Sequence, residues 1–479
     1  MNKKNISLVM LFFAMLQITF AQDSLQLSGP VSLKQCIDIA LKNNADINRS
    51  GLAMEDSKVA LTQSQGSRLP FMSASINHGL SQGRTIDPFT NSYINQNLSS
   101  ANYNLGADLY LWNAGSVSNN IRANALNYEA GKMDWQQQKD NVTINVILTY
   151  LQVLNNQEQL NAAIQQADVT RKQAERLELL DKDGAIAPAT YYDTKGQLAT
   201  DEMNIIALQN AVETAKISLV ELMNVTYSKE LQLKKINLSS DLVLYDASSK
   251  DVYEMAMKNL ALIKAADLRT ASAAKSLKAA KGQLYPRLVL SGGLGTNYSS
   301  AASVASLRSV SDVLTDNYVT IDNEKIAVYS PQGIYDSKKI SYGDQWSNNF
   351  NSFVGVGIQI PILNGLQTSS RVNQAKIQEK RSIINAKTTK TQLQQSVEQA
   401  HLNMNTAYER YNKLTAQVED FGISFRAAEV KFNAGAINSV DYLLIKNKVD
   451  NSNINLIAAK YDYILRTKIL DFYQGKLSL

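Results

Sequence analysis

The sequence predicts a mainly α chain with a smaller β part: internally duplicated, long antiparallel helical hairpins plus four β-strands. Three observations predict it. The stretch GAIAPATYYDTK at residues 184–195 returns as GAINSVDYLLIK at residues 435–446. Long polar segments of helical period flank both copies. Four shorter segments switch to a period of two, the mark of strands with one apolar and one wet face. A chain that repeats itself is read as a repeat before anything else.

Each repeated stretch is a hairpin tip. Gly184, Ala185 and Ile186 match Gly435, Ala436 and Ile437. Glycine is expected where a helix ends in a left-handed cap, and Pro188 or Ser439 then stands near the start of the returning helix.

Bulk numbers narrow the class. The chain has 479 residues, 44% hydrophobic and 19% charged, with 7 prolines, which suits long unbroken helices. Lys3, Lys4 and the apolar run that follows predict a signal peptide over residues 1–21, cut after Ala21. Without that leader the formal charge is only slightly positive. No basic run with interleaved aromatics appears, so nucleic acid is not an expected partner. Cys36 is the only cysteine and reads as a small apolar residue on a helix. No later segment is apolar for the ~20 residues that a membrane helix needs.

In order, Ser32 is expected to cap an amphipathic helix that runs to about residue 66. A strand follows, with Met72, Ala74, Ile76 and Leu80 on one face and Ser73, Ser75 and Asn77 on the other. After a polar loop, Leu105, Ala107, Leu109 and Leu111 alternate with Asn104, Gly106, Asp108 and Tyr110. A very long helix then leads to the first tip. The second half repeats this at an offset of 216 residues up to its first strand (Pro70 on Pro286) and 251 beyond its second (Asn113 on Asn364). The 35 additional residues fall in a strand-to-strand loop at about 299–349, which shows no clear period. The expected divisions are residues 22–225, a linker at 226–250 with strand-like pieces such as Leu242-Val243-Leu244, and residues 251–479. Before the second tip, Leu393, Val397, Met404, Ala407, Tyr411, Leu414 and Val418 lie on a stripe of heptad spacing, which predicts helices packed nearly parallel. In the first half Val142, Val146, Val153, Leu160 and Ala163 keep that register, interrupted by Asn156 and Thr170.

Four strands cannot close a barrel, and open edges are not tolerated in hydrocarbon. Chains must pool them. About eight strands leave an interior filled by side chains, so a homotrimer of twelve strands is the smallest conducting assembly. Phe71, Tyr103, Tyr110, Trp112, Tyr298, Trp346 and Phe353 near the strand ends are candidates for an interfacial girdle.

The duplication, the Leu69-Pro70 and Tyr285-Pro286 strand starts, the IPILNG run at 360–365 and the GAINSVDYLL tip resemble the TolC-type outer-membrane efflux family over nearly the whole mature chain. The resemblance implies a trimeric twelve-stranded β-barrel in outer-membrane lipid, continuing into a helical tunnel across the periplasm. It implies a periplasmic adaptor protein and an inner-membrane pump of the RND, ABC or MFS type as partners, and passive export or type I secretion as function. It places Asp441 at the gate the tips form. A second family acid would stand at Leu444; Asp193 on the first tip is the candidate replacement. A ring of carboxylates at a narrow mouth favours cations. Asp441 also fits an ordinary first-turn acid favoured by the helix dipole. Asp108 and Gln359 fall at matching positions on the wet strand faces, as lumen-lining residues or as interstrand polar contacts. No cofactor or metal is expected. His78 and His401 are the only histidines, and neither a GxSxG elbow nor a P-loop occurs, which argues against an enzyme. A non-conducting structural or adhesive coiled-coil protein would use the same heptads but leaves the in-phase strands unexplained.

Overall fold

A computed structural model of the chain describes residues 29–86, 91–95, 97–236 and 242–476. The expected signal peptide and residues 237–241 of the expected linker lie outside them. Contacts gather into two units: one of residues up to Ser57, Leu126–Thr270 and Arg381 onward, the other of Lys58–Ala125 and Ala271–Lys380.

The elements repeat at the two sequence offsets. Helices α1 (Leu33–Asn43) and α2 (Ala45–Gly66) return as α5 (Ser249–Asn259) and α6 (Ala261–Gly282). Strands β1 (Phe71–Ser81) and β4 (Leu98–Trp112) return as β5 (Arg287–Ser299) and β8 (Asn351–Gln359). The long helix α3 (Ser116–Lys182) returns as α8 (Gln367–Asn433), and α4 (Pro188–Met223) as α9 (Ser439–Tyr473). Each 67-residue helix is about 100 Å long at 1.5 Å per residue. Ser32 caps α1 in a capping box with Gln35, and Ser248 caps α5 in the same way with Asp251.

The expected single helix from Ser32 to residue 66 is two. Asn44 takes an extended conformation, and its side-chain oxygen accepts from the amides of Asp46 (2.9 Å) and Ile47 (3.2 Å), ending one helix and capping the next. Its amide nitrogen donates to the Leu222 carbonyl. In the linker, residues 242–244 form no strand. The strand-like contact there is a single parallel bridge from Leu233 to Val31. The Tyr150 hydroxyl fastens both strands of that bridge, donating to the carbonyls of Val31 and Lys234.

Two apolar clusters hold the helices of the first unit. Leu33, Cys36, Val142, Val146, Tyr150, Leu219 and Met223 form one. Val252, Ile263, Leu393, Val397, Met404 and Leu470 form the other. Both draw on the heptad stripes, since Val142 and Val146 are the counterparts of Leu393 and Val397. Burial pushes the Cys36 thiol up to about 12, as befits an inert core residue.

In the second unit four strands form an antiparallel sheet in the order β1-β4-β5-β8. The rows run Met72, Ala107, Gly292, Val354 and Ala74, Leu105, Leu294, Ser352. The next apolar row is Leu109, Leu290, Val356, followed by Leu288 with Ile358. Paired residues share a face, so the apolar positions of all four strands align into one band. Much of it is bare: Met72 is 62% exposed, Val356 62% and Ile358 70%. Four of the seven girdle candidates do not belong to it: Trp346 lies off the sheet, in the helix Tyr342–Asn348, and three others are on the wrong face. Phe71, Tyr110 and Phe353 pair with Asp108, Val289 and Gly293 on the opposite, polar face. The ring of Phe353 lies over Gly293, where a Cβ would come within 2.5 Å of it.

The additional residues are not an irregular loop. They form a two-stranded ribbon, β6 (Ser303–Ile321) with β7 (Glu324–Lys339), then a short helix α7 (Tyr342–Asn348). Register shifts between Leu307 and Ser309 and between Leu314 and Tyr318 break the alternation, which hides the period from the sequence. A smaller ribbon, β2 (Arg84–Ile86) with β3 (Tyr93–Asn95), stands in the first loop. Buried Gln345 of α7 pins the larger ribbon's base, accepting from the Ser299 amide and donating to the carbonyls of Ser299 and Ile340.

Candidate functional site

Both tips have the predicted geometry. Gly184 has φ +66° and Gly435 φ +71°, the left-handed region that glycine enters without strain. The amides of Ala185 and Ala436 donate back to the carbonyls of Leu180 and Lys431, both at 2.8 Å, in a Schellman arrangement. Ile186 and Ile437 are half-buried. Ala187 and Asn438 are the N-caps, and Pro188 and Ser439 are the first helical residues, at the start of each returning helix as expected. The tips differ in packing. Tyr442 stacks on Phe432 with centroids 4.5 Å apart and meets Phe425 at 5.8 Å, whereas its counterpart Tyr191 stays half-exposed against Tyr192.

Asp441 is exposed in the first turn of α9, its amide donating to the Asn438 side chain at 2.8 Å. Asp193 is drawn to the same turn by the Ser439 hydroxyl, which donates to its carboxylate at 2.8 Å. Arg176 donates to Asn433 at 2.5 Å as a second link between the hairpins. Leu444, at the place of the second family acid, is 55% exposed.

Sequence reasoning missed a buried polar cluster above the tips. The Lys446 side chain is 3% exposed and is held by Asp450 one turn on and by Asp201 of α4 at 3.3 Å. Asp201 also accepts from Thr170 of α3 (2.5 Å) and Gln197 (2.7 Å). Gln166 of α3 donates to the Asp450 backbone carbonyl, and Asn447 to Gln197. Burial pushes the Asp450 carboxyl up, against the pull of Lys446. Two signals were available: Thr170 interrupts a core stripe, and Lys446 lies one turn past Tyr442 on the same buried line of α9.

On the polar face of the sheet, Asp108 accepts from Ser291 of the adjacent strand at 2.6 Å, and Gln359 accepts from the Arg287 Nε at 2.7 Å. Both are therefore interstrand polar contacts, two rows apart along β5 on one face. Among the described residues no group of three His, Cys, Asp or Glu is placed to hold a metal ion, and no helix is long and apolar enough to cross a membrane.

A duplicated helical hairpin joined to a sheet with one bare apolar face and one polar face is the fold of an outer-membrane channel subunit. The chain belongs to the outer membrane efflux protein family, whose family model matches residues 36–225 and 252–475. It is an outer-membrane protein of the efflux-channel class, as the tip and strand motifs indicated. The fold is similar to that of the outer membrane protein VceC from Vibrio cholerae, with TM-score 0.74 and 14% identity over 92% of this chain and 96% of that one. The Campylobacter jejuni CmeC outer membrane channel aligns with TM-score 0.73 and 17% identity over 93% and 85% of the two chains. The open state of the Neisseria gonorrhoeae MtrE outer membrane channel aligns with TM-score 0.67 and 15% identity over 93% and 89%. No match among curated proteins is found.

Proposed function

We propose that three copies of this chain close a twelve-stranded barrel and form a passive export duct. The duct receives cargo from a periplasmic adaptor and an inner-membrane pump. The observation that carries the assembly is the outer edges of β1 and β8, which pair with no strand among the described residues and stand at opposite sides of a sheet whose apolar face is bare. Such edges in a membrane must be paired.

The repeat supplies the register. Within the chain, Ala107 of β4 pairs with Gly292 of β5. Carrying both through the repeat offsets sets Ile358 of one copy opposite Ile76 of the next, apolar face on apolar face. The same operation explains two bare features. Gly282 fits tightly against Ala114 and Ser116, a Cβ there meeting their atoms at 3.0–3.1 Å, yet its counterpart Gly66 has nothing within 4 Å. The counterparts of Ala114 and Ser116 are Gly365 and Gln367, supplied in the assembly by a neighbour. Ile362, 92% exposed just past the end of β8, extends that strand once β1 of a neighbour lies beside it.

Oxidation of an Ile358→Cys/Ile76→Cys variant in a Cys36→Ala background is expected to give covalent dimers and trimers. Shifting the second cysteine to Asn77 turns it to the other face and should abolish them. No cross-link, or equal cross-linking from both pairs, overturns the register.

At the tips, Asp441 and Asp193 form a carboxylate ring that favours cations at the duct's narrow end. Asp441→Asn is expected to shift the reversal potential in a salt gradient toward anions in planar-bilayer recordings. An unchanged potential removes Asp441 from the gate. Wild-type trimers that carry no current even after the tips are loosened would favour the structural stalk over the duct.

A further inference from the structure

Where the sheet gives way to the long helices, the second unit holds a cavity of about 590 Å³. Arg287 and Arg371 both line it, and no aspartate or glutamate does. Neither guanidinium has a carboxylate partner among the described residues. Arg287 spends its Nε on Gln359 and sits 5.7 Å from the centroid of the Tyr110 ring, which holds the rest of the guanidinium in place. Arg371 reaches only the Gln283 side-chain oxygen, at 3.5 Å. The first turns of α3 and α8 also border the cavity, through Ser116 and Thr368, and add the positive ends of two helix dipoles. The rest of the lining is mixed, with polar Asn113, Gln283 and Asn364 beside apolar Ile360, Pro361 and Leu363.

The fold does not require this charge. At the equivalent positions of the other repeat stand Phe71 in place of Arg287 and Asn120 in place of Arg371. The same strand-to-helix junction is built there without either guanidinium. Two arginines lacking acidic partners among the described residues, beside two helix starts and an aliphatic patch, match the chemistry of an anionic head on an apolar body.

We infer that this junction is a binding site for amphiphilic anions, with Arg287 and Arg371 holding a phosphate or carboxylate head and Ile360 and Leu363 covering its apolar part. Two sources present such a head: an anionic lipid of the surrounding bilayer, or a solute in transit along the polar face. The second source rests on the reading of that face as the lumen.

The test is calorimetric titration of octyl phosphate into the purified full-length protein, first in detergent and then in nanodiscs of phosphatidylcholine or of phosphatidylglycerol. Saturable binding is expected, with uncharged octyl glucoside at least about tenfold weaker. Arg287→Gln/Arg371→Gln is expected to weaken octyl phosphate by the same factor while leaving octyl glucoside unchanged. Loss of the signal in phosphatidylglycerol alone would support the site and identify bilayer lipid as its occupant. Binding that survives in both lipids would support a solute site. Equal affinity for the two octyl compounds, unchanged affinity in the double variant, or no saturable binding overturns the inference. The titration needs neither conduction nor a pump, so its failure is distinct from failure of the export reading.

Discussion

Val356→Arg is expected to abolish assembly in the membrane. Val356 lies in the middle of β8, in one row with Leu290 and Leu109 of the neighbouring strands, and is 62% exposed among the described residues. An arginine on the lipid face near the bilayer midplane costs about 2–4 kcal/mol. A three-copy barrel carries the substitution three times, for about 6–12 kcal/mol in all. That is comparable to the whole stability of an ordinary domain. Refolding into lipid vesicles, followed by the heat-modifiable gel mobility of the trimer, should show no folded product. Ser75→Arg supplies the control. Ser75 pairs with Asn104 on the polar face of the same sheet, and an arginine there stays in water. Normal assembly of Val356→Arg would mean that the bare face does not meet lipid.

The apolar face could be predicted strand by strand because a period of two is a strong local signal. The relation between strands was less direct. It emerged from the repeat, since two fixed offsets carry one hairpin onto the other and keep the apolar phase. The ribbon escaped detection for the converse reason. Its strands do alternate, but the irregularity between Leu307 and Ser309 inserts one residue and reverses the parity of β6, and that between Leu314 and Tyr318 inserts two and interrupts the pairing, so no single phase fits the whole segment. The helix break was legible in principle: Asn44 has the side chain that ends one helix and starts another. The even amphipathic pattern on either side of it concealed the stop.

The site residues divide in the same way. The tip glycines were legible because a left-handed turn narrows the choice of residue to almost one. Asp441 was singled out only through the family resemblance, at the sixth place after such a glycine. Arg287 and Arg371 were not, because they come together only when α8 and the start of β5 meet at one junction, 84 residues apart in sequence. Lys446 was hidden by its own repeat. Its counterpart Lys195 is exposed, and only the phase of α9 shows that the second copy points inward.

That burial makes Lys446→Met the most costly substitution expected in the helical part. The lysine is enclosed with two carboxylates, those of Asp201 and Asp450, and with Thr170 and Gln197. Methionine preserves most of the volume, so the loss is chiefly electrostatic. Removing one partner of a buried ionic cluster costs about 3–5 kcal/mol, because the charges left behind have surrendered their water without compensation. The effect should depend on pH. Burial already raises the Asp450 carboxyl, and Asp201 nearby raises it further; Lys446 is what lowers it. Without Lys446 the folded chain takes up a proton at Asp450 before the unfolded chain does, so stability of the variant rises as pH falls. The apparent melting temperature of Lys446→Met should therefore lie furthest below wild type near pH 7, and the gap should narrow toward pH 5. Lys446→Met/Asp201→Asn/Asp450→Asn, which removes the orphaned charges, should recover part of the loss at pH 7 and show little pH dependence over that range. A constant gap across pH, or no recovery in the triple variant, would mean that Lys446 holds the two hairpins together by packing alone.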